Sequence, residues 1–221
     1  MYARDTSRES RPEVLMAAMR YAKFCAMVST TGGGLHASHL PVIVEETGDG
    51  SAVLNGHLSR NNPHWRAINE QAETVAIFQG PHSYISPSWY ETKAETGKVV
   101  PTWGYIAVHA HGSLEVIDDA DWVREHVNAL TNLHEASRPE PWAVSDAPDD
   151  YITVMLRGIV GVRLSVERLD GSWKLNQHRS EDDQRSTIAG LYGEDDPQSL
   201  ELGDEMAEAL ASVQDESTGE L

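Results

Sequence analysis

The chain has 221 residues, 40% hydrophobic and 24% charged, enough for one large domain or two small ones around a buried core. No run of about 18 apolar residues occurs and residues 1–10 are polar, so neither a membrane span nor a signal peptide is expected, and the cytoplasm is the default location. A formal net charge of -18 argues against a surface that grips nucleic acid by neutralising phosphates, and a single cysteine excludes an internal disulfide or a multi-thiolate metal site.

In chain order, Ser10-Arg11-Pro12-Glu13 has the form of a helix start, and Leu15, Met19 and Ala22 recur at helical spacing, predicting a helix over 11–23. Residues 24–30 read as a strand in which Cys25 is a small buried hydrophobe. Gly32-Gly33-Gly34 lacks the Lys-Ser/Thr of a phosphate loop and reads as the turn of a hairpin whose second strand covers 35–44. Pro41, which donates no ladder hydrogen bond, predicts an edge position or a bulge there. A turn at Thr47-Gly48-Asp49-Gly50 leads to a third strand starting with Ala52-Val53-Leu54.

That strand ends in Gly56-His57-Leu58-Ser59-Arg60-Asn61-Asn62-Pro63-His64-Trp65. Asn62 is a favoured helix cap and Pro63 suits the first helical position, so a helix over 63–71 is expected to begin beside Arg60. Helix N-termini present unpaired N–H groups and a positive dipole end; with the Arg60 fork and the Ser59 hydroxyl alongside, the stretch describes an anion cradle. The same residues also describe an ordinary capped helix with a solvated Arg60.

Two short strands, 74–78 and 82–86, are expected on either side of Gly80-Pro81, followed by a polar loop over 91–98 that is either a lid or simply solvated. From 104 to 116 alternation is clear, with Ile106, Val108, Ala110, Leu114 and Val116 on one face and Tyr105, His109, His111 and Glu115 on the other. His109 and His111 fit a polar face or a dimer surface better than a metal pair, because no third ligand motif accompanies them. Asp118-Asp119 opens a helix to about residue 136 with Val123, Val127 and Leu130 inward, and an irregular segment over 138–149 is anchored by Trp142. A short helix over 150–157 precedes a strand over 159–169, a hairpin turn at Asp170-Gly171, and a return strand through Trp173-Lys174-Leu175. Helices over 182–191 and 200–213 follow, with a polar end over 214–221 expected to fray. Many antiparallel strands interrupted by short helices predict an α+β protein built on a barrel or strongly curled sheet.

Five stretches in order along the chain resemble the PaiB family of FMN-binding negative transcriptional regulators. They are His39-Leu40-Pro41; the run from Gly56 to Trp65; Phe78-Gln79-Gly80-Pro81-His82-Ser83-Tyr84-Ile85-Ser86-Pro87-Ser88-Trp89-Tyr90; Val100-Pro101-Thr102-Trp103-Gly104-Tyr105; and Lys174-Leu175-Asn176-Gln177. The resemblance implies an antiparallel split β-barrel (FMN-binding split barrel) with flanking helices over 1–195, a C-terminal helix and polar tail over 196–221, and a homodimer holding flavin at the subunit interface. Where the family has Thr-Trp-Asn-Tyr this chain has Gly104, and where it has Lys-Leu-Ser-Gln-Asn this chain has Asn176 and His178.

On that resemblance FMN is the expected cofactor, with Ser59, Arg60 and the helix entered at Asn62 on its phosphate, Thr102 and Trp103 lining the ring system, and Lys174 with Gln177 near the pyrimidine edge. His57 lies close to that cradle in sequence. The same superfamily includes haem-dependent relatives, notably the piperazate synthases, and haem is the alternative cofactor, with His57 as its candidate ligand. The expected role is a homodimeric negative transcriptional regulator acting indirectly, since the acidic charge opposes direct DNA contact; the alternative is a flavin- or haem-dependent oxidoreductase on the same fold.

Overall fold

The computed structural model describes residues 1–48, 50–68 and 73–218, with side chains to residue 212. In chain order the elements are β1 (Arg8–Glu9), α1 (Pro12–Ala22), β2 (Phe24–Thr31), β3 (Gly34–Glu46), β4 (Ala52–Ser59), α2 (His64–Ala67), β5 (Glu73–Ile85), α3 (Thr92–Thr96), β6 (Thr102–Ile117), α4 (Ala120–Glu135), α5 (Asp149–Leu156), β7 (Ile159–Lys174), α6 (Glu181–Tyr192) and α7 (Pro197–Thr218). The strands are neighbours in the order β1-β7-β4-β3-β2-β5-β6, and a further pairing of β6 with β7 closes six of them into a ring. β1 joins the far end of β7, with Arg8 opposite Ser172 and Glu9 opposite Gly171. The expected antiparallel split barrel with flanking helices is the fold observed.

The chain divides into two compact units, with β5, β6 and β7 contributing to both. One unit comprises residues 12–78 and 109–169. Its core takes Leu15 and Met19 from α1, Met27 from β2, Leu40 and Val42 from β3, Leu54 from β4 and Val162 and Leu164 from β7, all nearly or fully buried. Cys25, opposite Leu40 in the β2–β3 ladder, is 1% exposed, and burial pushes its thiol up to about 12. The other unit comprises residues 1–11, 79–108 and 170–221, and its core gathers Ile85, Tyr90, Ile106, Leu175, Leu191, Leu202 and Met206. Buried Asp183 braces this unit by accepting from the Thr92 backbone N–H at 3.0 Å and hydroxyl at 2.8 Å, which fixes the start of α3 against α6.

Several expectations are corrected. β5 runs unbroken through Gly80-Pro81, and α3 ordered by Asp183 replaces the polar loop over 91–98. β7 continues through Asp170-Gly171, because β1 supplies a partner strand at Gly171 and Ser172 in place of a local hairpin. The segment over 138–149 contains a 3-10 turn at Val144–Asp146, and it is Val144, 6% exposed, that anchors it; Trp142 is exposed. β3 is flanked on both sides, so Pro41 is not on an edge strand. The Val42 N–H donates to the Lys23 carbonyl on the β2 side, so Pro41's nitrogen faces the β4 side, one residue before that ladder begins at Val42, and no ladder bond is lost. The expected turn at 47–50 keeps its Gly50-to-Thr47 backbone bond, but Asp49 lies outside the described residues. The helix expected over 63–71 is a four-residue α2, and residues 69–72 lie outside the described residues. α7 continues beyond the expected end at 213 to Thr218.

Candidate functional site

The eight residues singled out in the sequence divide equally. His57, Ser59, Arg60 and Asn62 lie in the unit of residues 12–78 and 109–169, and Thr102, Trp103, Lys174 and Gln177 in the other.

In the first unit, β4 carries half-buried His57 opposite Gly161 of β7. Its Nδ1 lies 3.2 Å from Nε2 of His126 on α4, a residue only 5% exposed. The Asp119 carboxylate caps α4 by accepting from the Trp122 N–H at 2.8 Å, and Trp122, one turn before His126, stacks on that imidazole at 5.1 Å and 8°. The indole fits only because residue 161 is glycine, whose Cβ would lie 2.7 Å from the ring's Cε3. The Arg163 guanidinium sits 5.6 Å from the same indole and donates from Nε to Asn55 at 3.0 Å; Asn55 in turn donates to Glu45 at 2.9 Å. Burial lowers the pKa of His57, and burial together with His57 lowers that of His126 to about 4. Both imidazoles are therefore neutral at pH 7, so one ring donates and the other accepts. His126 went unnoticed in the sequence, although a histidine on the α4 face shared with Val123 and Leu130 was the available signal.

The stretch after β4 is occupied by its own hydrogen bonds. The Arg60 guanidinium donates twice to Asp118, from Nη1 at 3.0 Å and from Nη2, and these bonds hold the Asp118 carboxyl below its ordinary range. Ser59 Oγ accepts from the Asn61 N–H at 3.2 Å. The Asn62 Oδ1 accepts from the His64 N–H at 2.9 Å and its Nδ2 donates to Ser38 at 2.8 Å, but the cap position of α2 falls on Pro63, one residue later than expected, because the first helical bond is accepted by the Pro63 carbonyl. Ser38 also bonds Nδ1 of fully buried His64 at 2.9 Å. An anion arriving at Arg60 must displace Asp118.

In the second unit, Lys174, the last residue of β7, donates to the Thr102 hydroxyl at 2.8 Å and lies 5.7 Å from the Tyr105 ring centre. Burial and then the charge of Arg4 lower its pKa. Thr102 and Lys174 line one cavity of about 330 Å³. Trp103 points the other way along the alternating strand: it is 54% exposed, stacked on His82 at 6.3 Å and edge-on to Tyr84 at 6.4 Å. Gln177 does not line the cavity, because its side chain braces the turn after β7, accepting from the Leu175 N–H at 2.9 Å and donating to the Trp173 carbonyl. Asn176 occupies a left-handed position at φ 61 and donates to the Tyr90 hydroxyl at 3.2 Å. Gly104 is explained by packing: a Cβ there would lie 2.9 Å from Leu202 Cδ2, so the α7 leucine fills the room an asparagine would need.

The chain matches the FMN-binding domain family FMN_bind_2 over residues 1–168. It is 30% identical to a Bacillus subtilis (strain 168) protein named protease synthase and sporulation protein PAI 2, over 95% of this chain and 98% of that one. It is 29% identical to protein AN0679 of Emericella nidulans, over 96% of each chain. Among solved structures, the FAD and haem binding protein of Mycobacterium smegmatis has the same fold, with a TM-score of 0.56 at 16% identity over 81% of this chain and 79% of that one. The motifs, the barrel and a family match that spans three quarters of the sequence agree: the chain belongs to the FMN_bind_2 family of FMN-binding domains, the PaiB family its motifs resemble.

Proposed function

We propose that the protein binds FMN and acts as a cytoplasmic homodimer that represses transcription through a partner protein. The observation that carries the flavin reading is the end of β6: the exposed Trp103 indole, flanked by His82 and Tyr84, adjoins Thr102, whose hydroxyl fixes the partly desolvated Lys174 ammonium. The held cation suits the pyrimidine edge of an isoalloxazine ring, and Trp103, on the opposite face of β6, suits the wall that one subunit of a homodimer presents to its partner's flavin; the donors present fit the group. Bound flavin supplies one- or two-electron redox chemistry. Each unit offers its own candidates: in one, Lys174 and Thr102 offer polar contacts, Trp103 an aromatic face, and Gln177 holds the turn behind Lys174; in the other, Ser59, Arg60 and Asn62 are the candidates for a phosphate. His57 is held beside that cradle's strand by His126. The net charge of -18 supports repression through a protein rather than by direct grip on DNA.

The test is an absorption spectrum of the purified protein followed by FMN and riboflavin titrations. Flavin bands are expected, with Arg60→Ala weakening FMN by about tenfold or more, the loss of one charge-assisted contact, while leaving riboflavin unchanged. Asp118→Asn frees Arg60 and is expected to tighten FMN binding. Equal FMN affinity in wild type and Arg60→Ala removes the phosphate from this cradle.

A second reading, haem, is favoured by one contact. Iron-ligating histidines characteristically have their other ring nitrogen tied to a second group, and Nδ1 of His57 is tied to His126, leaving Nε2 for a ligand. A Soret band lost in His57→Ala would select it.

A further inference from the structure

The unit that carries Lys174 also holds two cations that the flavin reading leaves out, Arg4 and Arg179. Arg4 from the N-terminal segment, Lys174 from the end of β7 and Arg179 from the turn before α6 line the cavity of about 330 Å³, together with Thr102, Ser172 and Tyr105. Among the described residues no carboxylate lines it, although the chain as a whole carries a net charge of -18. The cations are held by neutral groups: Lys174 by the Thr102 hydroxyl and the Tyr105 ring, and Arg179 over the Tyr90 ring at 4.4 Å.

Two buried polar atoms at this place have no hydrogen-bond partner, Oγ of Ser172, a residue 1% exposed, and Nε of Arg179. A buried donor left unmatched is costly, and like charges brought together add to that cost. The strain is visible in the titrating groups. Burial and then Arg4 lower the pKa of Lys174; burial, then Arg179, Arg4 and Lys174, lower that of His178, which also lines the cavity. An anion in the cavity offsets the clustered positive charge that contributes to both shifts. The cavity is larger than a bare phosphate requires, and Val100 and Pro101 give it an apolar wall.

We propose that this cavity is an anion site that takes phosphate or the phosphate ester of a small molecule, gripped by Arg4, Lys174 and Arg179 with Ser172 as a hydroxyl donor. A phosphate dianion offers several acceptor oxygens to these donors, which matches a three-cation cluster better than a single carboxylate does. The site shares Lys174 and Thr102 with the flavin reading, but phosphate binding to the flavin-free protein does not depend on flavin.

Calorimetric titration of inorganic phosphate into flavin-free, full-length protein, against sodium chloride of equal ionic strength, tests it. One phosphate per chain is expected. Arg179→Gln and, separately, the exposed Arg4→Gln are each expected to weaken it by about tenfold or more, the loss of a charge-assisted hydrogen bond. Arg4→Gln carries the test if Arg179→Gln does not fold. No heat beyond that of chloride, or wild-type affinity in a folded variant, overturns the proposal. FMN and riboflavin titrations of the same variants then identify the source of the phosphoryl group. FMN weakened with riboflavin unchanged assigns the site to the flavin's own phosphate, whereas FMN unchanged assigns it to a separate ligand; both outcomes sustain the anion site. Failure of the flavin reading would appear as absent FMN uptake while phosphate still binds.

Discussion

Replacing Gly112 by alanine is expected to lower the stability of the protein by about 3 kcal/mol or more, one of the largest effects available to a single methyl group. The added Cβ would overlap the Ser165 carbonyl oxygen and stand 2.9 Å from its carbon and 3.2 Å from the Val166 Cα. These neighbours are backbone on β7 and cannot rotate away, so one strand must shift, and the β6–β7 pairing is the one that closes the ring. Gly104→Ala crowds the Leu202 methyl, the end of a flexible side chain, and meets the Lys174 carbonyl and Ile85 at ordinary contact distance, so it should cost about 1 kcal/mol, while Gly32→Ala meets nothing within 4 Å and should be near neutral. Urea denaturation of the three variants checks the ranking. A midpoint for Gly112→Ala equal to that of wild type would mean that β6 and β7 do not approach there.

Acidification from pH 7 towards pH 4 should remove up to about 3 kcal/mol through His126 alone. The folded protein keeps this imidazole neutral down to about pH 4, whereas the unfolded chain protonates it near its ordinary 6.5. Between those values the unfolded state binds the extra proton, so the contribution is fully present above about pH 6.5 and is lost progressively as pH falls to about 4. Two things oppose charging: the imidazole is buried, and a second positive charge would form beside His57. His57 is shifted in the same direction by burial. His126→Phe preserves the ring stack without a titrating nitrogen, and its stability should be flatter over this window than that of wild type. The Asp118 carboxyl, depressed by Arg60, weakens the fold only at lower pH, which separates the two effects. Parallel slopes for wild type and His126→Phe would refute the assignment.

What could be read from the sequence was local periodicity. The alternation of Ile106, Val108, Ala110 and Leu114 gave β6 its inward face, and Leu15 and Met19 gave α1 its buried stripe, because one element's own pattern decides which side is apolar. What escaped was set by distant partners. Gly80 reads as a breaker, yet here its missing Cβ admits Ile106, whose own Cβ would be 3.2 Å away, so β5 continues. Asp170-Gly171 reads as a hairpin turn, but β1, from the opposite end of the chain, gives that segment a ladder. The site divides along the same line. Motif order drew attention to Thr102 and Lys174, which do touch, whereas Arg4, Arg179 and Ser172 join them only through the fold, and the His57–His126 contact unites a strand and a helix that share no motif.

The lone cysteine gives the molecule an internal clock. Alkylating and disulfide reagents are attacked by thiolate, and a Cys25 held at a pKa of about 12 and 1% exposed offers them almost none while β2 stays zipped to β3. Capture of that sulfur therefore waits on separation of the strands, and its rate counts the openings of this part of the ring in unmodified, fully native protein.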